Sequence, residues 1–355
     1  MISKTISYRT SSEDDDCLVT VRYIGAIFYL RWSPSDLALV PDLLSNYLAQ
    51  LEQLKDEDVY ADYSGLVLPF KPLMDQLAPT GRQVPFTLYE YLYPQWFQLK
   101  ATAAKDCQTI LPVQLKGEDP FCRLGIPTSS FQLDKLDLNN WVPRWFSSHD
   151  IELPADAKEH PLLQSPSRVI ERQSQTECFF KGLGPGYKGT IDELVAFRAI
   201  DEATKRGALA PDARICRLYG LVMDTLGPRA PDQRIVGMLL NYIEPKRHGI
   251  LGTLHYIAYD EQNHKHFHSW ADDLSDTLGQ LHQAGCVWGD AKPENVLVDK
   301  DNKVWIIDFG GGYTPGWVAA EDEGTQKGDL EAMAKIRQWL EQQVLERRAE
   351  MRGQA

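Results

Sequence analysis

Asp290, Asn295 and Asp308 fall within one stretch, QLHQAGCVWGDAKPENVLVDKDNKVWIIDFGGG, residues 280 to 312. Acidic and amide side chains at the ends of paired strands can converge on metal-bound phosphates. Phosphoryl transfer asks a protein mostly for such positioning and charge neutralisation. The competing reading is a β-hairpin whose acidic residues merely cap turns. Either way the elements that must hold these side chains are legible. ADDLSDTLGQLHQAG reads as a helix with Leu274, Leu278 and Leu281 on one face and Gly285 past its end. NVLVD and VWIID read as strands joined by a DKDN turn, and Gly310-Gly311-Gly312 forms a glycine-rich exit.

In this order of loop, strand, turn and strand the chain resembles the protein-kinase catalytic loop and metal-binding motif. Asp290 and Asn295 keep the interval of H-R-D-x-x-x-x-N, and Asp308-Phe309-Gly310 matches D-F-G. The resemblance implies that Asp290 engages the acceptor hydroxyl, that Lys292 sits near the transferring phosphate, and that Asn295 and Asp308 hold Mg²⁺ beside ATP. Trp288 replaces the usual His, and Gly289-Asp290 is similar to the H-G-D loop of aminoglycoside and choline phosphotransferases. WGDAKPENVLVD with IIDFGGGYTPGWV is also similar to kinase-like proteins of filamentous fungi with unknown substrates.

Upstream, TECFFK is read as a strand ending in Lys181, resembling the V-A-I-K strand whose Lys meets the phosphates and a helix Glu. Glu193, on a helix predicted from about 191 to 206, is the candidate partner. Thr190-Ile191-Asp192-Glu193 also spells a capping box, so a local role for Glu193 stays open. RICRLYGLVMD and RIVGMLLNYIE read as adjacent strands leading to a hinge, Leu240 to Ile243, where Asn241 and Ile243 are candidates for backbone contact with adenine. Residues 162 to 175, where a glycine-rich phosphate loop is expected, contain no glycine, which keeps a degenerate pseudokinase or scaffold in view. Gly184 to Gly189 does spell G-x-G-x-x-G, but it follows the Lys181 strand instead of preceding it and is read as a connecting loop.

His264, His266 and His268 alternate as metal ligands on a strand could, and are read instead as a solvated linker; the acidic run Glu13 to Asp16 is read as a tail. GTQKGDLEAMAKIRQWLEQQVLERRAE resembles the helix after a kinase activation segment, with Asp329 bracing the catalytic loop. The run from Asp308 to Asp329 is short and leaves Tyr313, Thr314 and Thr325 as hydroxyls for phosphoregulation. That brevity favours a small-molecule acceptor over a protein.

The 355 residues suit two domains: 1–140, of unknown role and without a catalytic motif, then a linker, 141–165, and a kinase-like domain, 166–355, with lobes at about 166–243 and 244–350. The fold class expected is α+β, a two-lobed protein-kinase-like fold with an additional N-terminal mixed α/β domain. In the N-terminal part CLVTVRYIGAIFYLRW reads as two strands turning at Gly25, followed by a helix that Pro41 kinks or restarts, a short helix in FTLYEYLYPQWF and a strand in TILPVQL. A net charge of −13 argues against nucleic-acid binding, and no apolar run approaches the roughly 18 to 20 residues of a membrane span. Six scattered cysteines without a C-x-x-C pair are read as reduced and structural, and the acidic N-terminus as cytoplasmic. The partners implied are ATP and a hydroxyl-bearing acceptor, with a protein partner for residues 1–140 left open.

Overall fold

The computed structural model describes residues 3–10, 14–56, 62–80, 85–105, 108–117, 126–127, 136–154, 166–183, 187–225, 233–311 and 314–353. The chain divides into two compact units, Met1–Arg123 with His149–Pro166, and Leu124–Ser148 with Ser167–Ala355. Each mixes α and β structure. No helix among the described residues is long and apolar enough to cross a membrane.

The first unit carries a sheet in the order β1 (Ser3–Thr10), β2 (Cys17–Tyr23), β3 (Ala26–Trp32), β4 (Gln95–Thr102) and β5 (Leu111–Leu115). Ile24 and Gly25 both take positive φ, 47° and 75°, which is what a two-residue hairpin loop needs between right-twisted strands. β3 and β4 are parallel, and parallel neighbours need a long crossover. Here it holds α1 (Pro34–Leu37), α2 (Pro41–Asp56), α3 (Ser64–Val67), α4 (Lys71–Leu77) and α5 (Leu88–Leu92). Pro41 begins α2, where its missing N–H costs nothing. Only Leu88–Leu92 of FTLYEYLYPQWF is helical, started by a Thr87–Glu90 capping box; Gln95 onward is β4. A two-residue strand, β8 (Ile151–Glu152), bridges to Thr87. The core gathers Val19, Val21, Phe28, Leu30, Leu51, Phe70 and Leu99, with Trp32 stacked on Tyr47 at 5.2 Å.

In the second unit β6 (Ile126–Pro127), β7 (Trp145–Phe146), β9 (Arg168–Glu171), β10 (Thr176–Gly182), β11 (Leu218–Thr225) and β12 (Gln233–Asn241) share one sheet. Its order is β7-β11-β12-β10-β9, and β6 pairs with β12. β13 (Val296–Val298) and β14 (Val304–Ile306) form a separate hairpin. The helices are α6 (Leu138–Trp141), α7 (Tyr187–Lys205), α8 (Leu254–Ile257), α9 (Phe267–Gln283) and α10 (Gln326–Gly353). α7 starts at Tyr187, ahead of the start predicted near 191, so Gly189 and Thr190 lie inside the helix. Leu274, Leu278 and Leu281 of α9 are all buried, and Gly285 ends that segment at φ +81°. One apolar cluster runs from Leu194 and Phe197 of α7 through Leu278 of α9 and Val296 of β13 to Ile336 of α10. A shared core of this kind holds sheet, hairpin and helices in fixed register, which is what a multi-element site requires.

Candidate active site

Lys181 lies near the end of β10, opposite Met238 of β12. That pairing relies on Gly237, because a β-carbon there would stand 2.1 Å from the Phe180 ring. The Lys181 Nζ donates to Glu193 of α7 and to Asp308, each at 2.9 Å. Glu193 is only 1% exposed. Burial opposes the charge on Lys181, but the carboxylates of Glu193 and Asp308 outweigh it and hold the ammonium above the usual lysine range. Burial pushes the Glu193 carboxyl up, against the pull of Lys181. With Thr190 inside α7 and Glu193 turned to Lys181, the capping-box alternative does not apply.

Asp308 follows β14 with φ +59°, a left-handed conformation that Asp tolerates better than most residues. Its side chain is 43% exposed, and the Gly310 N–H reaches its Oδ1 at 3.4 Å. Gly310 and Gly311 pass close to α7: a β-carbon on Gly310 would lie 3.3 Å from the Gly189 carbonyl, and one on Gly311 3.6 Å from the Asp192 Cβ.

The second group of polar side chains is centred on Asp290. Lys292 Nζ donates to Asp290 Oδ2 at 2.6 Å, the Thr314 hydroxyl donates to Oδ1 at 2.9 Å, and Lys292 also reaches that hydroxyl at 2.9 Å. The Asn295 amide nitrogen donates to the Asp290 carbonyl and to its Oδ2, both at 2.9 Å. This loop is held from α10. Asp329, 2% exposed, accepts from the Trp288 N–H at 2.8 Å, the Gly289 N–H at 2.9 Å and His282 Nε2 at 2.9 Å. Gly289 sits at φ +90°, a conformation a side chain would strain. Trp288 is buried, and its indole N–H donates to the Ile307 carbonyl at 3.0 Å, tying the loop to the residue before Asp308.

Thr314, which the sequence suggested only as a phosphorylatable hydroxyl, is thus bonded to both Asp290 and Lys292. Nothing in the sequence tied Thr314 to Asp290 or His282 to Asp329, since a threonine in a loop and a histidine on a helix have many ordinary uses. Asn241 ends β12, where its N–H donates to the Arg217 carbonyl at 3.0 Å and its side chain accepts from the Arg217 N–H. Ile243 packs against the apolar cluster.

His264 and His266 belong to a 3-10 turn and His268 to α9, so they do not share a strand face. No cluster of three or more His, Cys, Asp or Glu suited to a metal occurs among the described residues. Gly184 to Gly186 lies outside the described residues, while Tyr187 to Gly189 opens α7. Of the glycine-free stretch, 162–165 lies outside them too, and the rest forms the β9–β10 hairpin with Gln175 at φ +55°. Cys17, Cys178, Cys216 and Cys286 are buried free thiols; Cys107 and Cys122 lie outside the described residues, as do Glu13 and Tyr313.

No protein-family profile matches the chain. A 51-residue stretch, 14% of the chain, is 45% identical to Serine/threonine-protein kinase PKH3 of Eremothecium gossypii. An alignment over 171 residues, covering 41% of the chain, is 25% identical to Serine/threonine-protein kinase PKH3 of Saccharomyces cerevisiae. The chain spans 7% of the length of the first relative and 18% of the second. Over the parts aligned, these matches support a protein-kinase-like relationship.

Proposed function

We propose that the second unit is a two-lobed ATP- and Mg²⁺-dependent phosphotransferase acting on a hydroxyl acceptor. The observation that carries this reading is Lys181 bonded at once to Glu193 and Asp308, three residues brought together from separate elements. Lys181 would meet the α- and β-phosphates, oriented by Glu193. Asp308 and Asn295 would hold Mg²⁺, and backbone around Asn241 and Ile243 would face the adenine. The donor set fits that cation. Mg²⁺ takes hard oxygen ligands, often one or two carboxylates completed by substrate phosphates, so a half-exposed Asp308 and the Asn295 amide would suffice without a preformed cage. When bound, the cation offsets phosphate charge.

Asp290 would accept the acceptor's proton or orient its hydroxyl. Lys292 and Thr314 restrain its two carboxylate oxygens, and Lys292 supplies a positive charge beside them. Asn295 donates to Asp290 through its nitrogen, so its amide oxygen would be the atom to face the metal. The rival reading, a pseudokinase scaffold, is favoured by the lack of glycine in residues 162 to 175.

The preference for a small-molecule acceptor, drawn from the short run between Asp308 and Asp329, finds no support in the two relatives, which are named as protein kinases. Both acceptor classes therefore enter the test. Calorimetry with ATP and Mg²⁺ is expected to give binding that Asp308→Asn weakens tenfold or more, about 1.4 kcal/mol. Labelled ATP incubated with separate metabolite and protein fractions then reports the acceptor. Absence of nucleotide binding by the unaltered chain at millimolar ATP would sink the enzyme reading and favour the scaffold.

A further inference from the structure

We infer that residues 136 to 148 act as an intramolecular brace on α7 and so position Glu193 for Lys181, with Arg198 and Gly220 as the points of contact. This deepens the phosphotransfer reading and rests on it for its functional consequence. Glu193 and Arg198 are five residues apart on α7, about 140° around the helix. One side of the helix therefore faces Lys181 while another is free to be held. Arg198 Nη1 donates to the Leu136 carbonyl at 3.3 Å, and the same carbonyl accepts the Trp141 indole N–H at 3.0 Å. Leu138, Trp141 and Val142 then enter the buried cluster that contains Leu194, Phe197 and Ile200 of α7.

The far end of the brace is fastened to β11. β7 pairs with it in parallel, Trp145 opposite Leu221 and Phe146 opposite Val222, and the Leu221 N–H donates to the Arg144 carbonyl at 3.0 Å. The Arg144 guanidinium lies over the Tyr219 ring at 4.7 Å, and Phe146 stacks on that ring at 5.6 Å. The chain beneath this crossing is Gly220. A β-carbon there would stand 2.5 Å from the Phe146 ring and 2.7 Å from the Arg144 carbonyl, so the missing side chain is what admits the crossing. Ser148, fully buried, closes the brace by donating its N–H to Asp224 Oδ1 at 3.0 Å and its hydroxyl to Oδ2.

A helix held at one face and anchored through a neighbouring strand has fewer alternative placements. The fraction of molecules with Glu193 against Lys181 rises accordingly, and apparent nucleotide affinity follows that fraction. Arg198 and the brace are positioning elements, since none of their atoms meets Lys181, Asp290 or Asp308 in the contacts described above.

The test uses full-length Arg198→Met and Gly220→Ala, with Arg198→Lys as a conservative control able to donate to the Leu136 carbonyl. Amide hydrogen exchange is read in α7 and, as an internal reference, in α9. Both variants are expected to exchange at least fivefold faster across 187–205 with α9 unchanged, Arg198→Lys restoring most of the protection. ATP affinity should fall threefold or more in the same two variants. Unchanged α7 exchange in both variants would overturn the brace, and so would equal acceleration in α9, which signals general destabilisation. If the unaltered chain binds no nucleotide, the phosphotransfer reading fails while the exchange data still decide whether the brace exists.

Discussion

The group around Asp290 and the group around Lys181 solve the same problem, holding charged side chains together, in different ways. Asp290, Lys292 and Asn295 belong to a single loop, and only Thr314 comes from elsewhere. Lys181 reaches Glu193 twelve residues on and Asp308 across 127 residues of sequence. The loop group is therefore set by local chain geometry once Asp329 has fixed the loop's start. The strand and helix group exists only if sheet, α7 and the segment after β14 are packed correctly, and small movements of α7 separate it. Local constellations are robust, and composite ones are where a conformational equilibrium can act.

The sharpest way to test this division is to damage the loop group without moving it. Asp290→Asn preserves shape and removes the proposed proton acceptor, so turnover is expected to fall about 10² to 10⁴-fold with ATP affinity nearly unchanged. A variant with unaltered single-turnover rate would remove Asp290 from the chemistry.

Next in size is the support under the loop. Asp329→Ala would leave the buried Trp288 N–H without an acceptor, at about 1 to 3 kcal/mol, and the part-buried Gly289 N–H at less. Denaturant unfolding should register a loss of at least about 2 kcal/mol, and a loss below about 0.5 kcal/mol would mean the loop is held by other contacts.

For the composite group the informative quantity is coupling. A double-mutant cycle with Lys181→Met and Glu193→Gln, read by ATP affinity, should give an interaction energy of about 1 kcal/mol or more, above the few tenths common to exposed pairs. Strict additivity would mean that Glu193 and Lys181 do not act as a pair in nucleotide binding.

The smallest change expected is from Thr314→Val, which removes one hydrogen bond from Asp290 and one from Lys292. A fall in kcat of about tenfold with KM for ATP unchanged would match a positioning effect worth roughly 1 to 1.5 kcal/mol. An equal fall in ATP affinity would show that Thr314 serves the nucleotide side instead.

Much of the loop group is legible in the amino-acid sequence. Residues 286 to 312 announce a loop, hairpin and metal-type carboxylate because their spacing is short-range, and backbone geometry alone brings such residues near one another. The two-residue turn at Ile24 and Gly25 is readable for the same reason: a glycine-bearing pair between apolar alternations has few other uses. The early start of α7 is not readable, because Gly189 weakens helix propensity, and its close approach to the Gly310 carbonyl comes from a segment distant in sequence. β4 is hidden behind an aromatic-rich helix start, where the same residue types suit both structures.

By itself, then, the sequence determined the residue types able to handle phosphate, their order, and the local turns that present Asp290, Asn295 and Asp308. Tertiary structure alone decided that Glu193 turns to Lys181 and not to its own helix, that Thr314 bonds Asp290, and that residues 136 to 148 run across β11 over Gly220. The physical reason is range. Turn and strand preferences act over a few residues, whereas these contacts join distant segments whose meeting depends on how an entire buried core closes.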